Sequence, residues 1–252
     1  MPNSITGKKI FGAGRFFGIN NVSNPTPARF YVPQDNTIDF KIATKTLTGE
    51  NKFPVAVAQG DISVTGKVTY GAQNARVFAD LLFNLGSTTG TIIEQEKETA
   101  TIPSTPFQVT VANGATFKQD LGVMLASDGT VFVQVASSPA TGQYSLNTTT
   151  GVYTFNSSDT GKAVVISYLY ASASTGEKLV MTNSLQGPAG AFTGVSVFPY
   201  GSDQDVLILN NCIASDAGIG TKQGDYVKPS FGYMAATDSS DTLGTFAFSQ
   251  AA

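Results

Sequence analysis

Alternation of polar and apolar residues is the dominant rhythm of this chain. It is clearest in Thr37-Ile38-Asp39-Phe40-Lys41-Ile42-Ala43, where every second side chain is apolar. That is the period of a strand with one buried face, so Ile38, Phe40 and Ile42 are expected to point inward. A preceding strand is expected over Ala28-Arg29-Phe30-Tyr31-Val32. Two more follow at Pro54-Val55-Ala56-Val57-Ala58 and Ile62-Ser63-Val64-Thr65-Gly66-Lys67-Val68-Thr69-Tyr70, with Gly60 and Asp61 as turn residues between them. Over residues 72–85 the period changes. Ala75, Phe78, Leu81, Leu82 and Leu85 recur at spacings of three and four, which predicts an amphipathic α-helix stopped by Gly86.

Residues 7–27 are rich in Gly, Asn and Pro without sustained alternation, and read as an extended arm ahead of the core. After the helix, a strand over 91–99 leads to a change of texture near Pro103 and Pro106. Residues 104–176 then read as a self-contained insertion, rich in strand and turn signals and poor in charge. Its clearest unit is a hairpin, Gly142-Gln143-Tyr144-Ser145-Leu146 against Gly151-Val152-Tyr153-Thr154-Phe155, followed by a core strand over 164–170 and a flexible return linker over 171–176. Further strands are expected over 178–183, 192–200 and 205–213, and within a terminal group, 226–248, where Pro229 suits an edge or a loop transition. The fold class is all-β in the main, with one flanking α-helix. A discontinuous domain of residues 1–103 and 177–252, with 1–27 as its arm, surrounds an inserted small β domain of residues 104–176.

Composition agrees with this pattern and narrows the chemistry. Only 13% of the 252 residues are charged against 41% hydrophobic, and 17 Phe and 9 Tyr set the chain apart from disordered sequences. There is no histidine, which removes Ser/His/Asp and Cys/His triads and every His-ligated metal site. The single cysteine, Cys212, sits in an apolar run and is expected to be a buried small hydrophobe. Residues 1–9 have no apolar signal-peptide core and no membrane-length apolar stretch follows, so the chain is expected to be cytoplasmic when made. Charge is uneven: residues 1–70 hold eight basic and four acidic groups (+4), 71–200 five and eight (−3), and 201–252 two and six (−4), for a net −3. A basic N-terminal part and an acidic C-terminal part suit head-to-tail stacking of identical subunits, and equally suit scattered solvated charge.

Motifs for catalysis or cofactors are weak. Gly12-Ala13-Gly14-Arg15-Phe16-Phe17-Gly18 approximates a dinucleotide fingerprint, with its last glycine one place late and no strand before it. Gly218-Ile219-Gly220-Thr221-Lys222-Gln223-Gly224 lacks P-loop spacing and reads as a turn. Asp203-Gln204-Asp205 and Asp238-Ser239-Ser240-Asp241 offer oxygen ligands but do not continue as an EF-hand loop, and read as solvated turns. No enzyme activity, cofactor, metal or membrane association is expected.

Two longer stretches carry a family likeness. Residues 37–45, then Phe53-Pro54-Val55-Ala56-Val57-Ala58, residues 60–67 and Phe78-Ala79-Asp80-Leu81-Leu82-Phe83, resemble the bacteriophage tail tube (major tail protein) family. Leu207-Ile208-Leu209-Asn210-Asn211-Cys212-Ile213, Lys222, residues 226–233 and Gly244-Thr245-Phe246-Ala247-Phe248 resemble its closing portion. The insertion, with Pro139-Ala140-Thr141-Gly142-Gln143-Tyr144 and Asp159-Thr160-Gly161-Lys162-Ala163-Val164, is similar to a small β module of phage structural proteins. The resemblance implies a β-sandwich or partial barrel and hexameric rings stacked into a hollow virion tail tube that passes genomic DNA. Its implied partners are tape-measure, terminator and initiator proteins, and a sheath if the tail contracts.

In such a tube the strand edges are consumed by neighbours, and the bore has to let phosphates slide. The polar faces of two strands are the lumen candidates: Asp39, Lys41 and Ala43, and Asp61, Ser63, Thr65 and Lys67. The candidates for contacts between subunits and rings are Arg15, Phe16 and Phe17 of the arm and Thr48, Gly49 and Asn51 of the loop 46–53. The inserted module is expected on the outer surface. Rival readings are a capsid decoration or head-to-tail completion protein, the tube of a contractile injection system, and a carbohydrate-binding β-sandwich, the last disfavoured by the absence of Trp.

Overall fold

The computed structural model describes residues 11–50, 52–181, 190–200 and 203–249. In chain order its strands are β1 (Arg15–Asn20), β2 (Ala28–Arg29), β3 (Tyr31–Thr48), β4 (Pro54–Ala72), β5 (Thr88–Thr101), β6 (Gln108–Thr110), β7 (Phe117–Leu125), β8 (Val133–Gln134), β9 (Gln143–Asn147), β10 (Val152–Phe155), β11 (Ala163–Lys178), β12 (Ala191–Tyr200), β13 (Asp203–Gly218), β14 (Ser230–Ala236) and β15 (Gly244–Ala247). The protein is all-β, and the chain divides into two compact units, Met1–Ser87 with Leu179–Ala252, and Thr88–Lys178. The inserted unit therefore begins at Thr88 and takes in β5, which the change of texture near Pro103 had left with the first block.

The discontinuous unit is one antiparallel sheet ordered β2-β1-β12-β13-β14-β4-β3, with β15 also on β13. β2 and β3 stand at opposite ends of that order, yet Phe30 alone separates them in the chain, so the sheet curls back on itself as a partial barrel whose ends meet at Phe30 with no strand pair between them among the described residues. The arm expected over 7–27 is thus partly wall: β1 pairs with β12, Phe17 opposite Val195, because Phe16 has an interior to fill. Phe16, Phe30, Val64, Val68, Tyr70, Phe192, Leu207, Leu209, Phe231 and Tyr233 form that interior. Its rings meet edge-on (Phe16–Phe30 4.9 Å, Phe30–Tyr70 5.0 Å) and stacked (Phe16–Tyr233 5.3 Å), contacts that add roughly 0.5–1.5 kcal/mol each to their burial. Gly66 is required there, since a Cβ would lie 2.1 Å from Cζ of Tyr233.

The helix is shorter and wider than the sequence period predicts. β4 runs on to Ala72, and Asn74 turns the chain by accepting from the Arg76 amide (3.0 Å) and donating to the Arg29 carbonyl (3.1 Å). What remains, Val77–Leu82, is a π-helical turn in which the Phe83 amide donates to the Phe78 carbonyl five residues back (3.0 Å). Val77, Ala79 and Leu81 are its buried residues, and Leu81 lies so close to Gly18 that a Cβ there would be 2.3 Å from it. The final glycine of the near-fingerprint thus serves helix packing. Asn84, at φ +50°, ends the turn before Gly86 is reached.

The inserted unit packs a sheet β5-β11-β7 and a sheet β6-β10-β9-β8 around Ile102, Phe117, Val123, Phe132, Tyr144, Tyr153, Phe155, Val164, Ile166 and Tyr168. The predicted hairpin forms, β9 against β10 with Tyr153 opposite Leu146. Residues 171–176, expected as a flexible linker, lie inside β11: Ala171 and Ser172 pair with Ile92 and Thr91 before a register shift ahead of Glu177. β14 begins after Pro229, the loop transition that proline was expected to mark. Of the strand expected over 178–183, Lys178 closes β11, residues 179–181 are not strand, and 182 and 183 lie outside the described residues.

Candidate assembly surface

The β3–β4 hairpin outruns the barrel. Val64 is the last residue of β4 buried in the core; past it β4 continues for ten residues, Pro54–Ser63, and β3 for eight, Lys41–Thr48, roughly 26 Å at ~3.3 Å per residue with the extra β4 residues taken up in bulges. This projecting arm carries Phe40 (50% exposed), Ile42 (47%), Val57 (65%), Val55 (70%) and Phe53 (81%) in the open. Ile38 does pack against the core, but Phe40 and Ile42, expected to be inward, are on the core side of the strand and still about half exposed.

Register sorts the arm into two faces. Phe40 lies opposite Val64 and Ile42 opposite Ile62, on the side continuous with the barrel interior. Between Ile42 and Thr44 the register shifts by one, with Gly60 and Asp61 facing Ala43, so the odd residues of β4 cross over and Val57, opposite Thr46, joins the side of Phe40 and Ile42, while Val55 falls in a second shift between Leu47 and Thr48. On the opposite side Asp39 pairs with Thr65, Lys41 with Ser63, and Thr37 with Lys67. Five of the lumen candidates, Asp39, Lys41, Ser63, Thr65 and Lys67, therefore share one polar face. Ala43 and Asp61 sit at the bulge, where simple alternation breaks. Thr48 and Gly49 are exposed near the tip of the arm, and Asn51 lies outside the described residues.

The three contact candidates of the N-terminal segment separate. Phe16 is 1% exposed and belongs to the core, which removes it from any contact surface. Arg15 is exposed and Phe17 half-buried, both on the outer face of β1. Arg29, opposite Phe17 in the register, was not singled out by sequence reasoning, since a lone arginine in a short apolar run carries no pattern. Its guanidinium lies 5.9 Å from the Phe17 ring centroid and 5.5 Å from that of Tyr31, a cation over two rings. Next to it Val32, β-branched and before a proline, is held at φ +52°, a strained conformation on an exposed residue.

Inside the barrel, Asn36 Nδ2 donates to Ser196 Oγ (3.2 Å), leaving Asn36 Oδ1 and the hydroxyls of Tyr70 and Tyr233 buried without hydrogen-bond partners. Ser196 is close enough to draw the Tyr233 ionisation slightly down, yet the pair falls short of hydrogen-bond geometry. Burial dominates and raises Tyr233, and pushes Tyr70 up to about 12. Burial likewise pushes the Cys212 thiol up to about 12, the inert state of a small core residue.

The acidic pairs have internal employment. Asp205 Oδ1 accepts from the Tyr200 hydroxyl (3.0 Å) and the Ser249 amide (2.8 Å), tying the end of the chain to β13. Asp238 accepts from the amides of Ser240 and Thr242 and from Asn210 Nδ2, and these hydrogen bonds hold its carboxyl below the usual range. No protein-family model matches the chain, and no curated protein matches it in sequence.

Proposed function

We propose that the protein is the tail tube subunit of a tailed bacteriophage, a non-enzymatic virion component that assembles into stacked hexameric rings around a bore for DNA. The β3–β4 arm carries this reading. An isolated two-stranded ribbon is marginal in water, and this one is ~26 Å long at ~3.3 Å per residue with apolar side chains about half or more exposed. One face of such a ribbon, about 10 Å wide, spans roughly 260 Å², about a third of the ~800 Å² per partner of a stable protein interface, so the arm supplies one part of a larger contact.

Covering the side of Phe40, Ile42 and Val57 on a neighbouring subunit leaves the face of Asp39, Lys41, Ser63, Thr65 and Lys67 for the bore. That face mixes signs along its length, so it offers no continuous basic track to hold phosphates. The free strand edges of the arm are consumed when subunits close a ring, and closure confines growth to one axis. The inserted unit, Thr88–Lys178, is assigned to the outside of the tube, where its bulk leaves the channel open.

The test is expression of the full chain alone, with negative-stain electron microscopy and mass from light scattering. Six-membered rings or hollow tubes are expected. A protein that stays monomeric at high concentration, and is not recruited by virion tails or an initiator complex, overturns the reading and favours a capsid decoration protein.

A further inference from the structure

We infer that the Phe17–Arg29–Tyr31 cluster is the anchor of a head-to-tail contact, and that its guanidinium receives a carboxylate from the acidic C-terminal segment of a second copy, at Asp241. The inference rests on the self-assembly proposed above and adds the chemistry of one contact to it.

Arg29 is exposed, yet two aromatic rings lie within cation–π distance of its guanidinium, and such contacts lower the entropy lost when it engages a partner. No carboxylate lies within ion-pair distance of it among the described residues. Arg15 lies two residues from Phe17 on the same face of β1, so two of the chain's three arginines flank one aromatic ring. Tyrosine and arginine in such a cluster are the residue types that dominate binding energy at interfaces. The strained, exposed Val32 beside Tyr31 is a further mark of a surface shaped for a partner.

The complementary charge is in the same chain. Residues 1–70 carry +4 and residues 201–252 carry −4. Within the acidic segment Asp225 is paired with Lys228 (3.2 Å), and Asp205 and Asp238 accept internal hydrogen bonds. Asp241 is different. It stands exposed in the turn between β14 and β15 at φ +56°, its side chain without a partner among the described residues. A carboxylate presented on a turn is suited to an exposed guanidinium backed by aromatic rings.

The test compares self-association of the full chain, by light scattering and sedimentation, for wild type, Arg29→Glu, Asp241→Arg, the double variant Arg29→Glu/Asp241→Arg, and Lys118→Glu as a control. Lys118→Glu makes the same charge change as Arg29→Glu at an exposed position of the inserted unit. Each single exchange is expected to weaken association on the order of thirtyfold or more. The double variant should recover most of that loss, and the control should match wild type. Thermal melts of the monomers check that each variant folds. If Arg29→Glu associates like wild type, or the double variant no better than the singles, the contact is overturned while the tube reading stands. A wild type that neither associates nor is recruited by virion tails or an initiator complex overturns both.

Discussion

The inserted unit and the barrel bury tyrosines in opposite ways. In the inserted unit the hydroxyls of Tyr144 and Tyr153 both donate to Asp120, the latter at 2.8 Å, and Tyr168 donates to Glu98 at 2.6 Å. Burial, then donation to the carboxylate, raises all three ionisations. Its edge strand β5 carries Glu94, Glu96, Lys97 and Glu98, charges that discourage pairing with another sheet. The barrel buries Tyr70 and Tyr233 with idle hydroxyls and sends out an arm with an apolar stripe. One region satisfies its polar groups and guards its edges. The other leaves two buried hydroxyls unpaired among the described residues and an apolar stripe half exposed.

The largest effect expected from breaking this contrast is at Asp120. Asp120→Ala strands two buried phenol hydroxyls at once, and should cost the inserted unit about 3 kcal/mol. Hydrogen exchange read segment by segment would show the loss confined to residues 88–178. A smaller change of opposite sign is expected in the barrel. Tyr233→Phe removes a hydroxyl that has no partner and keeps the ring that stacks on Phe16, so stability should rise by about 1 kcal/mol in urea unfolding. A loss instead would mean that the hydroxyl is satisfied, and the contrast between the units would fail at that residue. The smallest effect on the monomer is expected on the arm. Ile42→Thr with Val57→Thr exchanges exposed side chains and should move monomer stability by less than about 0.5 kcal/mol, while assembly measured by light scattering drops sharply.

Much of the fold was legible because alternation is a local signal. Val64, Val68 and Tyr70 are on the core side of their strand, as the period of two requires, and the β9–β10 hairpin stands where its turn residues put it. Local signals failed where the partner was distant. Nothing near Arg15–Asn20 announces a strand, because what makes it one is β12, about 175 residues later in the chain. Residues 171–176 look like a linker for the same reason: small polar residues are held in a strand by β5.

The candidate surface divides along the same line. From the sequence alone came the all-β class, the inserted module, the absence of histidine chemistry and the common polar side of Asp39, Lys41, Ser63, Thr65 and Lys67. Tertiary structure decided that the sheet curls back on itself to meet at Phe30, that Phe16 is core and Arg29 a cation over two rings, and that Phe40 and Ile42 project beyond the barrel. The reason is physical. Periodicity fixes which way a side chain points, but burial depends on what stands opposite it, and that is set by strands far apart in the chain.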